Sequence, residues 1–162
     1  MTVVRVVSEP GRFNEEHRAE LAESLTKAVL DVEVGSDNEV ARRGIMVLFD
    51  EQPSDTWAVG GRFDDRYVAS GGRILIRTQV MDGVWTAQRR RALIERFSAA
   101  VASTIGTGED RAALATCWVL FDTIDDGSWG ALGGPISLLD LLEPGGFAAE
   151  QAADARKELA RE

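Results

Sequence analysis

Few residues of this 162-residue chain have the type and spacing that chemistry at an active site requires. The single cysteine, Cys117, begins an apolar run where no neighbouring charge would favour a thiolate, so we predict a buried, inert thiol. The single histidine, His17, lies among charged residues of a predicted helix face, with no metal-ligand or Ser-His-Asp spacing around it. The sequence therefore favours neither thiol nor metal chemistry, and it signals no organic cofactor.

Composition and charge argue against several other classes. A hydrophobic content of 44% with 28% charged residues is typical of a folded globular protein. A formal net charge of −9 is unsuited to nucleic-acid phosphates or to an anionic membrane surface. No apolar stretch reaches the roughly 20 residues of a membrane span, and the first residues do not resemble a signal peptide. With one cysteine, no internal disulfide is possible, and we expect a reducing cytoplasm.

The chain contains an internal repeat at an offset of 72 residues. This offset aligns strand-like, helix-like and turn-like positions together: Val47–Asp50 with Val119–Asp122, Leu21 with Leu93, Leu25 with Phe97, and Trp57 with Trp129. After one inserted residue it also aligns Gly60-Gly61 with Gly133-Gly134. We therefore predict one βαβ unit written twice, with repeat one at residues 2–61, a connector at 62–72 and repeat two at 73–134.

Each half has the pattern of a strand, a helix and a second strand. In the first half, the strands are predicted at 3–7 and 45–49 around a helix capped by Asn14; in the second, at 73–80 and 117–123 around a helix capped by Thr86. Such units pair their strands in parallel through a right-handed crossover. The predicted fold is α/β: a duplicated β-α-β unit forming a four-stranded mixed sheet with two helices on one face. We expect a single domain over 1–146 and a C-terminal helix at 147–162.

This arrangement leaves one face of the sheet without a helix. The run Ile45–Phe49 nevertheless supplies apolar side chains to both faces, and such strands are usually covered on both sides. We therefore expect self-association to cover the second face.

The stretch Val47–Pro53, followed by Gly60-Gly61, resembles the end of the first unit in the tautomerase superfamily. It is similar to cis-3-chloroacrylic acid dehalogenase and its homologues, and to the strand-turn-hairpin of 4-oxalocrotonate tautomerase. Gly11-Arg12, just before the first helix, is similar to a family position whose arginine holds a substrate carboxylate. The match runs from Thr2 to about Gly134, in a family built from single or fused βαβ units.

The resemblance implies a mechanism without cofactor or metal. In the family, removal of the initiator methionine exposes a proline whose amine transfers protons. Arginines orient a small keto or halo acid, and an aromatic side chain from the hairpin forms one wall of the site. The chains form trimers or pseudo-hexamers. Carried onto this chain, it implies Thr2 as the catalytic amine after loss of Met1, Arg12 as the carboxylate clamp, and Trp57 and Trp129 as pocket walls. An α-amino group, with a reference pKa of about 7.7–8.0, suits proton transfer.

Each of these residues also has a plainer interpretation. Arg12 could be a surface arginine, Thr2 could simply begin an edge strand, and the two tryptophans could pack the hairpins or a trimer core. Glu33 lies where the dehalogenases hold a histidine, but the loop-like segment around it predicts an exposed side chain.

The sequence departs from the family pattern mainly where the family uses charged residues. Thr2 replaces the proline, Met81 and Val84 replace two dehalogenase arginines, and Thr123 replaces a general-base glutamate. Met46 and Trp118 stand where 4-oxalocrotonate tautomerase has an arginine. Two hypotheses follow: a tautomerase-type isomerase or related hydratase-lyase acting on a small carboxylate-bearing keto acid, or a catalytically degenerate trimeric scaffold or small-ligand binder.

Overall fold

The β-branched and apolar runs of the sequence form one four-stranded sheet. In the computed structural model, which describes residues 1–160, the strands are β1 (Thr2–Ser8), β2 (Ile45–Glu51), β3 (Ile74–Met81) and β4 (Cys117–Ile124). Their order is β2-β1-β3-β4, with parallel pairing inside each repeat and antiparallel pairing of β1 with β3 between the repeats. The predicted α/β fold with a four-stranded mixed sheet is confirmed.

Two long helices, α1 (Glu15–Val29) and α3 (Ala87–Ile105), connect the parallel strands and contact each other. Both begin where the sequence predicts a cap. The Asn14 side chain accepts a hydrogen bond from the His17 amide, and the Thr86 hydroxyl accepts one from the Arg89 amide. These bonds satisfy amides that have no partner within the helix.

The core lies between the helices and one face of the sheet. Alternate residues of β1 and β3 point into it, because successive side chains of a strand point to opposite faces. They pack against apolar residues that recur along one side of each helix; the central members are Val4, Val6, Ile74, Ile76, Leu21, Leu25, Leu93 and Phe97.

The opposite face of the sheet exposes large apolar side chains on its two edge strands: Met46, Leu48, Trp118 and Leu120. Ion pairs cross this face at equivalent positions of the two repeats, each with an N–O distance of 2.7 Å: Arg5 with Asp50, and Arg77 with Asp122. The sheet therefore has one buried face and one face that combines apolar groups with paired charges.

The hairpin that follows each βαβ unit has the same turn in both repeats. In repeat one, Val59 bridges to Arg62 across Gly60 and Gly61, whose φ angles are 60° and 77°. In repeat two, β5 (Trp129–Ala131) pairs with β6 (Gly134–Ile136) across Leu132 and Gly133, whose φ angles are 53° and 83°. The offset of 72 therefore holds through the turn and aligns Gly60 with Leu132. The one-residue insertion inferred from the Gly-Gly pairs is wrong.

Four further helical segments complete the described chain, besides short 3-10 turns at Ser54–Thr56, Asp65–Tyr67 and Arg111–Leu114. Helix α1 continues into a π-helical turn at Leu30–Val34, which ends at Gly35 in the left-handed conformation. A short helix, α2 (Glu39–Arg43), precedes β2, while α4 (Leu138–Leu141) and α5 (Ala149–Leu159) follow the second hairpin. Within residues 1–160, no helix has the length and apolar content needed to cross a membrane.

Candidate functional site

A cavity of about 480 Å³ opens at the start of β1. Met1 and Glu33 lie on its polar side, and its other walls come from α2, the β5–β6 hairpin and the segment around α4. The lining is largely apolar and includes Val34, Val40, Ala41, Ile45, Leu132, Ile136, Leu141 and Phe147. Its volume is within the range of small-molecule sites, and mostly apolar walls with a few polar groups are typical of them.

Glu33 is the polar centre of this cavity. Its side chain is only 2% exposed, and its two carboxylate oxygens have different partners. Oε2 accepts a hydrogen bond from the Thr2 hydroxyl at 2.8 Å, and Oε1 lies 3.4 Å from the amine of Met1. A buried carboxylate requires such partners because an unpaired charge is costly to bury. The amine and the carboxylate together form a proton donor–acceptor pair inside an apolar cavity.

The expectation that Glu33 is exposed is therefore wrong. The reason is local: the helix does not end after Val29 but widens into a π-helical turn, which buries Glu33 together with its neighbours Val32 and Val34. The only signal in the sequence is an acidic residue between Val32 and Val34, in an apolar run that also contains Asp31. Glu33 is the residue of this cavity that reasoning from the sequence missed.

Thr2 lies on an inner strand of the sheet, so the interpretation that it begins an edge strand is also wrong. Its side chain is buried, and its amide donates to the carbonyl oxygen of Gly44 at 2.8 Å. With Met1 present, the Thr2 nitrogen is thus part of the sheet, and the free amine in the cavity is that of Met1. The Thr2 hydroxyl contacts Glu33 directly.

A charged network holds α2 against α1 and so fixes one wall of the cavity. Arg42 on α2 makes two hydrogen bonds to Glu23 of α1, at 2.9 and 2.8 Å, and pairs with Asp37 just before α2. These hydrogen bonds lower the pKa of the Glu23 and Asp37 carboxyl groups. Val40 and Ala41, the two α2 residues in the cavity wall, directly precede Arg42.

Arg12 does not reach this cavity within one protomer. It follows the far end of β1, beside Glu9 and Gly72, and its Nε is buried with no hydrogen-bond partner among residues 1–160. The seven residues of β1 separate it from Met1 by roughly 20 Å, at about 3.3 Å per residue. Arg73, also at that end, is almost fully buried and pairs with Glu9 and Asp65.

The two predicted tryptophans occupy different environments. Trp57 lines a smaller cavity of about 190 Å³ at the start of β3, together with Arg73 and Trp118. Trp129 pairs with Ile136 across the second hairpin and packs against the core. Arg12 and Trp57 thus lie at the end of the sheet where Arg73 lies, and Thr2 lies at the opposite end. Arg73 occupies in repeat two the position that Met1 occupies in repeat one.

Cys117 is not placed for chemistry. Burial raises the pKa of its thiol to about 11, so the thiol form dominates at neutral pH. Met81 and Val84, which stand at the positions of dehalogenase arginines, are buried apolar members of the core.

No protein-family model matches the sequence, and no curated protein matches it significantly. Solved structures do match. A member of the cis-3-chloroacrylic acid dehalogenase family, N1, superposes with a TM-score of 0.66 at 19% identity, covering 96% of this chain and 99% of that one. Native fused 4-OT superposes with a TM-score of 0.62 at 25% identity, covering 82% of this chain and 94% of that one. The protein Pt0534, inactivated by 2-oxo-3-pentynoate, superposes with a TM-score of 0.65 at 21% identity, covering 86% of this chain and 98% of that one. Further fused 4-OT chains of this fold were solved as trimers.

Proposed function

We propose that this chain, which has the fold of the tautomerase superfamily, is a cofactor-independent isomerase that interconverts the enol and keto forms of a small carboxylate-bearing keto acid. A related hydratase or lyase reaction on the same class of acid would use the same groups. The observation that carries the proposal is the amine of Met1 beside buried Glu33, in a cavity of small-molecule size. The inactivation of Pt0534 by a small 2-oxo acid supports this substrate class.

The proton transfers of the proposed reaction need only groups that the cavity contains. The enol hydroxyl gives its proton to the Glu33 carboxylate, while the α-ammonium gives a proton to the enol carbon, which becomes the saturated carbon of the keto form. The proton on Glu33 then passes to the free amine, which lies 3.4 Å away, and restores the starting state. Proton transfer by positioned groups of this kind typically contributes about 10²–10⁴-fold in rate.

We propose that an amine serves beside Glu33 in either processing state of the chain. With Met1 retained, its own amine faces Oε1. If Met1 is removed, the amine belongs to Thr2, whose hydroxyl already contacts Oε2 at 2.8 Å. We propose Thr2 as the catalytic residue of the mature chain, because loss of the Met1 side chain also enlarges the cavity at the amine.

The carboxylate clamp has to come from another copy of the chain. Arg12 lies at the far end of β1 from the cavity in its own protomer, and the cavity lining contains no lysine or arginine within the described residues 1–160. We propose a homotrimer in which Arg12 of one copy approaches the amine of the next, with Trp57 and Trp129 walling such composite sites. The exposed apolar sheet face and the trimeric fused 4-OT chains support self-association. The single free Cys117 supports a cytoplasmic location.

The proposal is tested by mass and by rate. Intact mass of the purified untagged protein identifies the amine, and absorbance follows ketonisation of phenylenolpyruvate, an enol acid with one carboxylate. We expect turnover above buffer and a loss of tenfold or more in Arg12→Ala. Subunits of Arg12→Ala and Glu33→Gln, each at least tenfold less active alone, should regain activity when refolded together, because a mixed oligomer contains one intact composite site. No recovery on mixing would contradict the shared site.

The second candidate is a catalytically degenerate scaffold or small-ligand binder. It is favoured by Met81 and Val84, which are buried apolar residues where the dehalogenases carry arginines. It predicts that ligands bind in the cavity while the rate of ketonisation equals that in buffer.

A further inference from the structure

Leu132 occupies a position that a leucine rarely takes. It is the first of two turn residues between β5 and β6, its φ is 53°, and its side chain is 99% exposed. A bulky L-residue with positive φ is an outlier, and two-residue hairpin turns with two positive φ angles strongly favour Asn-Gly or Gly-Gly. Neither turn geometry nor core packing accounts for this leucine.

The chain provides its own comparison. The equivalent turn residue of repeat one is Gly60, which adopts almost the same φ of 60°. The fold therefore forms this turn with glycine, and repeat two places a large apolar side chain there against the local preference. The two turns differ in their surroundings. Gly60 packs against Tyr67 and lines the smaller cavity beside Arg73, whereas Leu132 stands at the edge of the cavity that contains Met1 and Glu33.

The charges of the cavity restrict what Leu132 can contact there. Among residues 1–160, two carboxylates line it, those of Glu33 and Asp140, and the only cation in its lining is the Met1 amine, which Glu33 already pairs. A second carboxylate on a ligand would be repelled by these two carboxylates and would have no unpaired cation of the described lining to bind. The walls away from Glu33 are apolar, with Val40, Ile136 and Leu141 among them.

We propose that Leu132 is a ligand-binding residue that covers the apolar body of the ligand at the mouth of this cavity. The ligand is then a compound with one polar end and an aromatic or branched aliphatic body, not a dicarboxylate. This inference rests on the proposed function in taking the cavity at the amine as the site, and it specifies the substrate class of that site.

The test compares stability with binding in the same variants. Leu132→Asn restores the favoured turn sequence Asn-Gly, so we expect an increase in Tm of about 2–4 °C, the shift that about 1 kcal/mol produces in a domain of this size. Loss of the leucine should weaken binding of 3-phenylpropionate about tenfold, measured by calorimetric titration of the full chain. Leu139→Asn is the matched control, since Leu139 is an exposed leucine of the same segment that does not line the cavity.

Adipate serves as the dicarboxylate probe, and we expect it to bind at least tenfold more weakly than 3-phenylpropionate. The inference is overturned if adipate binds equally well, if wild type does not bind 3-phenylpropionate, or if Leu132→Asn binds it as tightly as wild type does. It is also overturned if Leu132→Asn changes the oligomeric state, because the leucine then covers a neighbouring copy. Binding requires no turnover, so an inactive protein that shows the expected affinities contradicts only the proposed function.

Discussion

The Thr2 hydroxyl donates a 2.8 Å hydrogen bond to the carboxylate of Glu33, and both side chains are buried. The contact joins the first strand to the π-helical turn 31 residues later and presents the second carboxylate oxygen to the Met1 amine. One buried acid thus organises the start of the chain and the polar side of the cavity.

Removal of this acid should destabilise the fold. Glu33→Ala leaves the Thr2 hydroxyl buried without an acceptor, which costs about 1–3 kcal/mol in the free energy of unfolding. Glu33→Gln keeps an acceptor oxygen and should lose less. Urea denaturation measures both, with Glu143→Gln as the control because Glu143 is exposed and outside the cavity lining. Equal stability of Glu33→Ala and wild type would contradict the buried contact.

The Arg42 network should make stability depend on pH at the acidic end. Hydrogen bonds from Arg42 lower the pKa of Glu23 and Asp37 below their ordinary values of 4.5 and 3.8. A lowered folded pKa contributes stability above the unfolded pKa, and this contribution is lost as the pH falls through the folded value. Arg42→Ala should therefore have a lower Tm than wild type at pH 7, and the difference should shrink below about pH 4.

Thermal melts from pH 3 to pH 7 at low salt check this prediction. The same series at 1 M salt should show a smaller difference, because exposed charges are screened. A difference in Tm that is constant over the whole pH range would show that Arg42 acts through packing and not through its charge.

Cys117 should react slowly in the native protein. Burial raises the pKa of its thiol to about 11, whereas the ordinary value is 9.0. This raised folded pKa contributes stability below pH 9 that is lost as the pH rises through about 11. Absorbance with a thiol-reactive disulfide reagent at pH 8 should show reaction many times faster in denaturant than in buffer. Equal rates would mean that the thiol is accessible in the folded chain.

Charge on the face of the sheet without helices should dissociate the proposed oligomer. Trp118 is 61% exposed on an edge strand of that face, so Trp118→Glu should shift the mass measured by light scattering towards a monomer. Phe63→Glu is the matched control, because Phe63 is 56% exposed but lies in the connector and not on the sheet. A wild-type protein that is monomeric at micromolar concentration would contradict self-association through this face.

The sequence predicts the strands and helices because local patterns determine them. The β-branched run of β1, the cap at Asn14 and the helical spacing of Leu21 and Leu25 need only neighbouring residues, and the offset of 72 extends the same argument to repeat two. Even the left-handed turn at Gly60-Gly61 follows from residue type.

The site could not be predicted in the same way because it depends on contacts between distant residues. Glu33 is buried by a π-helical turn, for which the sequence carries no clear signal. Thr2 lies on an inner strand because β3 of the second repeat pairs with β1, and that pairing also brings Arg12 close to Gly72, just before β3.

The most direct test of proton transfer at the amine compares ketonisation of phenylenolpyruvate by wild type, Glu33→Gln and Glu143→Gln, with the intact mass of each recorded. The account predicts turnover above buffer in wild type and in Glu143→Gln, and a rate at least tenfold lower in folded Glu33→Gln. A wild-type rate equal to that in buffer, or equal rates in the wild type and Glu33→Gln, would contradict it.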